Sequence, residues 1–223
     1  MQIKMFMISF KCGHEAENRS DFLRGYFGRR FEDNVLLHHH AGGDEYVYRY
    51  PLVQYKILDG KSVVLGIGMG ADTLKGICKE VNLIDINGKQ YEVFEKIIGM
   101  GNTEFGANSK QITYSFLTPW LALNEKNYEK YQRLGSWGRK KELLEKILIG
   151  NIISMSKSLG YTVPAPIEAN IHNLKEVKTS LKGTPMLGFL GTFSVNFEIP
   201  DYLGIGKSVS RGFGTVIKVK SEQ

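Results

Sequence analysis

Three consecutive histidines, His38, His39 and His40, stand just before a tyrosine-rich run, Tyr46–Leu58. Imidazole titrates near neutral pH, so a histidine pair can serve as general base and general acid. RNA cleavage without a metal needs those two roles. One group removes the proton from a 2′-hydroxyl, and that oxygen attacks the adjacent phosphorus. The other group protonates the departing 5′-oxygen. The products are a 2′,3′-cyclic phosphate and a 5′-hydroxyl, and nearby cations offset the charge on the phosphorane. In an extended segment His38 and His40 share one face and His39 takes the other, although adjacent histidines leave that register open by one residue. His38 and His40 are the expected catalytic pair. Tyr46 or Tyr48 is expected to orient a histidine or donate to phosphate, and Arg30 to offset phosphate charge. A surface run and a metal site are the other readings, but no second Cys or His cluster accompanies the histidines. His14 and His172 are isolated and read as structural or surface residues.

A second segment suits phosphate. Asp201–Thr215, DYLGIGKSVSRGFGT, sets Gly204, Gly206, Gly212 and Gly214 among Lys207, Ser208, Ser210 and Arg211. Glycine lets backbone approach a ligand closely, and exposed N–H groups, hydroxyls and cations together hold anions. Gly206-Lys207-Ser208 is not the tail of a nucleotide-binding P-loop. That motif needs a glycine at 201, where Asp stands, and a helix that Val209–Thr215 is too glycine-rich to form.

Arg139, Lys140 and Lys141 begin a long helix, an electrostatically unfavourable place for cations unless a polyanion lies there. Lys56, Arg49 and Lys110 are weaker contacts, and Tyr48 or Tyr50 suits stacking on an unpaired base. The chain of 223 residues has a formal net charge of +6, which favours a polyanionic partner. Two cysteines, Cys12 and Cys78, lack metal spacing and read as free thiols of a reducing compartment. With no signal-like or membrane-length apolar run, a cytoplasmic location is expected.

The elements that must position these residues alternate. Strands are expected at Met1–Lys11, Tyr46–Leu58, Lys61–Gly68, Val81–Ile86 and Gln90–Ile98, and helices at 20–31 and Ala71–Glu80. Asp59-Gly60 and Asn87-Gly88 read as hairpin turns. After a Gly/Asn-rich boundary near Gly99–Ser109, strands follow at Ile112–Trp120, Ala165–Leu181, Met186–Ile199 and Phe213–Val219. Helices cover Asn124–Leu134 and Gly138–Leu159, the latter carrying the apolar stripe Leu144, Leu148, Ile152, Met155 and Leu159. This is an α+β pattern of two tandem ferredoxin-like (RRM-like) βαββαβ domains. Residues 1–104 carry the histidines and 105–223 the glycine-rich loop.

A glycine-rich basic loop entering a C-terminal strand resembles the RAMP superfamily of CRISPR proteins. YRYPLVQYK (Tyr48–Lys56) and YLGIGKSVSRGFG (Tyr202–Gly214) resemble its archaeal-type repeat endoribonuclease, the Cas-six family, b-type. The resemblance implies two ferredoxin-like domains, CRISPR precursor RNA as substrate and no required metal or cofactor. It also implies an H-x-H pair before the YRYP strand, agreeing with His38 and His40, and a tyrosine nearby. Membership of an interference complex and a homodimer stay open.

Two rivals follow from the residues. The superfamily contains RNA-binding subunits without activity. Separately, Gly66-x-Gly68-x-x-Ala71 with Asp85 fits the fingerprint of an NAD(P)-binding oxidoreductase. The following helix is short, though, the Asn87-Gly88 turn suggests a hairpin, and no further βα units follow.

Overall fold

The protein is described here from a computed structural model, which describes residues 1–12, 20–38, 50–86 and 88–220. Contacts divide the chain into two compact units. One comprises Gln2–Thr103 with Ser210–Gly212, and the other Met1, Glu104–Val209 and Phe213–Gln223. Unit membership therefore departs from chain order at Met1 and at the tip of the glycine-rich loop.

In the first unit, β1 (Gln2–Cys12) buries Ile3, Met5, Phe6, Ile8 and Phe10. Helix α1 (Ser20–Arg30) lays Leu23, Tyr26 and Phe27 on the core that holds Phe6, Ile8 and Phe10, Leu23 and Phe27 being one turn apart. After the short α2 (Val35–His38) come β2 (Val53–Leu58) and β3 (Lys61–Ile67). The connecting turn places Asp59 and Gly60 at φ 48° and 72°, the left-handed pair that a tight hairpin requires. Helix α3 (Met69–Ile77), β4 (Leu83–Ile86) and β5 (Lys89–Glu104) follow. The sheet order is β2-β3-β1-β5-β4. Without β4, this is the ferredoxin-like order, and β4 is an added edge strand.

The second unit contains β6 (Gly106–Phe116), α4 (Glu125–Arg133), α5 (Trp137–Ser158), β7 (Ala169–Leu181), β8 (Thr184–Glu198) and β9 (Val216–Lys218). Asn124 caps α4 by accepting from the Asn127 N–H at 2.8 Å. The stripe Leu144, Leu148, Ile152 and Met155 is buried, as its helical spacing predicts. The order β7-β8-β6-β9 repeats the ferredoxin-like pattern, and β6–β8, β6–β9 and β7–β8 all pair antiparallel. The α+β, duplicated ferredoxin-like class stands, with one departure. Between β8 and β9 there is no second helix, only a 3-10 turn at Val209–Arg211 within the glycine-rich loop.

Several boundaries differ from the sequence expectation. Gly99–Ser109, where the boundary is expected, is strand on both sides of Phe105. Phe105 is 1% exposed and packs edge-on against Tyr161 and Phe197. The tyrosine-rich strand starts at Val53; before it Leu52 meets β3 through its carbonyl, which accepts from the Ile67 N–H at 2.9 Å, and Pro51 has no N–H to give the ladder. The last strand is confined to Val216–Lys218, since the residues before it belong to the loop.

Candidate functional site

His38 closes α2, so at that position the backbone is helical rather than extended. The alternation that would put His38 and His40 on one face does not begin at His38. His39, His40, Tyr46, Tyr48 and Arg49 lie outside the described residues, as does His14. What fixes the approach to His38 is visible. Leu37 is fully buried, and the Tyr55 hydroxyl donates to its carbonyl oxygen at 3.3 Å. Tyr55 is itself fully buried on β2, 5.5 Å from the Phe27 ring. Burial pushes its phenol well above the usual tyrosine range, so it stays a neutral donor. At the other end of α2, Asn34 accepts from the Leu36 N–H through Oδ1 and from the Leu37 N–H through its carbonyl.

Arg30 ends α1, with its guanidinium 6.0 Å from the Phe31 ring centroid. It borders a cleft of about 470 Å³ together with Tyr26, Asn82, Asp85 and Gln90. The neighbouring Arg29 is the one paired to Asp85, at 3.8 Å.

The glycines of the loop answer mostly to the protein's own atoms. Gly206 has φ 91°, and a Cβ there would stand 2.6 Å from Trp120 Nε1. Gly214 has φ 64°, and a Cβ would stand 1.9 Å from the Ile205 carbonyl oxygen. Gly204 bridges to Thr215 and is pressed against Val209. The loop is pinned by Ile205 N–H to Gly214 O and by Gly214 N–H to Pro119 O, each at 2.9 Å. Lys207 is exposed at its tip, and Ser208 beside it holds φ 60°. Ser210–Gly212 then joins the first unit. The Ser20 hydroxyl donates to the Arg211 carbonyl at 2.6 Å. Gly212, at φ 84°, lies so close to β2 that a Cβ would stand 2.8 Å from the Tyr55 carbonyl oxygen.

Of the three cations at the start of α5, Arg139 is exposed. Lys140 lies 3.8 Å from the Glu176 carboxylate, with its ammonium 4.4 Å from the Tyr131 ring centroid. Lys141 lies 3.6 Å from Glu145. Lys110 and His172 are exposed. Lys56 corrects its sequence reading as an RNA contact. It is fully buried, and its ammonium donates to Gln54 Oε1 at 2.9 Å.

The dinucleotide fingerprint is explained by packing. A Cβ at Gly66 would stand 2.4 Å from the Gly70 carbonyl, and one at Gly70 2.2 Å from the Leu52 carbonyl. The strand before the turn, β3, pairs antiparallel with both its neighbours, whereas the dinucleotide fold needs parallel crossovers. Asp85, the presumed ribose ligand, accepts from the Gly88 N–H at 3.1 Å inside the β4–β5 turn. The oxidoreductase reading falls. The P-loop stays excluded, because only the single 3-10 turn follows Ser208.

Sequence reasoning missed the contacts that Tyr55 makes with Leu37 and Ser20 with Arg211. Period-two alternation marks Tyr55 as inward, but the reach of its hydroxyl is a tertiary fact. Cys12 and Cys78 are free thiols. Among the described residues no group of His, Cys, Asp and Glu side chains is arranged to hold a metal ion, and no helix is long and apolar enough to cross a membrane.

Comparison with known proteins assigns both halves. The Cas6b N-terminal domain family matches residues 1–104, and the Cas6b C-terminal domain family matches residues 106–219. A crystal structure of Cas6b superposes with a TM-score of 0.90 at 39% identity, covering 98% of this chain and 100% of that one. A crystal structure of a CRISPR RNA processing endoribonuclease Cas6b gives 0.78 at 38% identity, with the same coverage. An uncharacterized protein of Methanocaldococcus jannaschii is 46% identical over 144 residues, 65% of this chain and 97% of its own length. A Cas6 product complex shares the fold alone, at 11% identity and a TM-score of 0.63 over 98% of this chain and 99% of that one. With both of its domains matched in order and along nearly its whole length, the chain belongs to the Cas6b family of CRISPR-associated endoribonucleases.

Proposed function

We propose that the protein cuts CRISPR precursor RNA within its repeats by attack of a 2′-hydroxyl on the adjacent phosphorus. It leaves a 2′,3′-cyclic phosphate and a 5′-hydroxyl. The observation that carries this reading is the 38% identity, over 98% of the chain, to a CRISPR RNA processing endoribonuclease Cas6b. His38 and His40 supply the base and the acid, with Tyr46 or Tyr48 orienting a histidine and Arg30 offsetting charge. Residues 1–104 house this chemistry. The remainder holds the RNA through backbone and side chains at Gly204, Gly206, Lys207, Ser208, Ser210, Arg211 and Gly212, and through Arg139, Lys140 and Lys141. Proton transfer accounts for every step, so the reaction runs without a metal ion. The reaction takes place in the cytoplasm, and the product RNA passes to other subunits of an interference complex or is held by a homodimer. The exposed apolar side chains Phe94, Ile98 and Met100 on β5 suit such a protein partner.

Incubating the protein with repeat RNA in EDTA and identifying the product ends tests this. A single cut per repeat with a cyclic phosphate is expected, and it should vanish in the His38→Ala/His40→Ala double variant. No product from the unsubstituted protein in EDTA overturns the metal-free reaction. Equal cutting by the double variant moves the site elsewhere.

A further inference from the structure

The loop tip that carries Arg211 docks on the helix that carries Arg24. Arg211 is docked onto α1 through the Ser20 hydroxyl, which donates to its carbonyl oxygen at 2.6 Å. Arg24 stands one helical turn after Ser20, on the same face of α1. Neither arginine is fully exposed. Gly212 fixes the next step of the chain against the Tyr55 carbonyl, where no larger residue fits. Burial lowers the pKa of Arg24 from its ordinary value, and the positive charge of Arg211 lowers it further. Two cations that feel each other's charge in this way repel in the free protein. An anion between them converts that repulsion into two charge-assisted contacts, and guanidinium forks match phosphate oxygens well.

We propose that Arg24 and Arg211 form one phosphate-binding site for a phosphodiester of the bound repeat RNA. Arg24 is thereby an RNA-binding residue that the loop motif does not contain. The site rests on the reading of the protein as an RNA-cutting enzyme, and it explains why the tip of the loop is anchored on α1. Full affinity requires both arginines, because each adds its own charge-assisted contacts to the same phosphate.

Equilibrium binding of repeat RNA across a salt series tests the site, using Arg24→Gln, Arg211→Gln, Arg24→Lys and the double Gln variant. Each single Gln variant should weaken binding about tenfold and reduce the salt slope by about one. The double variant should be little weaker than either single, because the two residues share one phosphate. Arg24→Lys should recover part of the affinity. Sulfate should raise the melting temperature of the unsubstituted protein more than that of Arg24→Gln. Unchanged affinity and slope in Arg24→Gln overturn the site. So does a loss in Arg24→Gln accompanied by a lower melting temperature while Arg211→Gln binds normally, because Arg24 would then be structural. Binding is read apart from cutting. A protein that binds through Arg24 but cuts nothing overturns the enzyme reading and leaves this site standing.

Discussion

The hydroxyl of Tyr55 donates to the carbonyl oxygen of Leu37, the residue immediately before His38. The same Tyr55 offers its own carbonyl oxygen as the surface on which Gly212 of the glycine-rich loop rests. One β2 residue therefore meets the tip of the proposed RNA-holding loop with its backbone and the approach to a proposed catalytic histidine with its side chain. Docking of the loop and placement of His38 share a support.

Removing that hydroxyl should separate binding from chemistry. Tyr55→Phe keeps the ring against Phe27 but leaves a buried carbonyl without this donor, which should cost about 1 kcal/mol of stability. Single-turnover cutting at saturating protein should slow about tenfold, because small misplacements of a reacting group are expensive. Repeat-RNA affinity should stay within about twofold by the same reasoning, the loop contact being made by backbone. A variant that loses affinity but cuts bound RNA at the original rate would show that Tyr55 does not position His38.

Packing and RNA contact should also separate within the loop. Gly214→Ala forces a Cβ to 1.9 Å from the Ile205 carbonyl at φ 64°, and should destabilise the protein by about 2 kcal/mol or more. Lys207→Ala, at the exposed tip, should leave the melting temperature within about 1 °C while weakening repeat binding and lowering its salt dependence. Thermal melts and filter binding on the two variants decide this. A Lys207→Ala protein with unaltered affinity would move the phosphate contact elsewhere.

At the start of α5 the three cations should behave differently from one another. Lys140 is engaged with Glu176 and lies over Tyr131, whose hydroxyl donates to the same carboxylate at 2.7 Å. Lys140→Ala should therefore cost up to about 1 kcal/mol of stability. Arg139→Ala should be neutral to stability and reduce RNA affinity. Equal RNA-binding losses from both substitutions would mean that Lys140 leaves Glu176 when RNA arrives.

Much of this arrangement is legible in the sequence, and the failures have physical causes. The stripe of α5 and the Asp59-Gly60 turn are local signals, and each is realised. The Gly99–Ser109 stretch reads as a boundary because it is rich in glycine and asparagine, yet strand runs on both sides of Phe105 within it. The loop glycines read as positions of close approach to a ligand; that Gly206 and Gly214 also face Trp120 and Ile205 is a tertiary fact that sequence spacing does not reveal. Alternation predicts one solvated face for β2, whereas Val53, Gln54, Tyr55 and Lys56 are all buried. No periodicity distinguishes a strand covered on both faces when one face carries Gln and Lys.

Lys56 gives that buried face a pH signature. Burial lowers its ammonium from 10.5 to about 7. Between those values the unfolded chain holds a proton that the folded chain does not. Stability from this group is then lowest near and below pH 7, where the charged form is buried, and rises as pH climbs towards 10.5. The full excursion is on the order of a few kcal/mol. Lys56→Met removes the titrating group while keeping the length of the side chain. Urea unfolding of both proteins from about pH 6 to 10 isolates the contribution as a difference, because other thiols and phenols titrate in both. The unsubstituted protein should gain stability relative to Lys56→Met across that range. Parallel curves would mean that Lys56 keeps its proton in the fold, held by Gln54 and its surroundings.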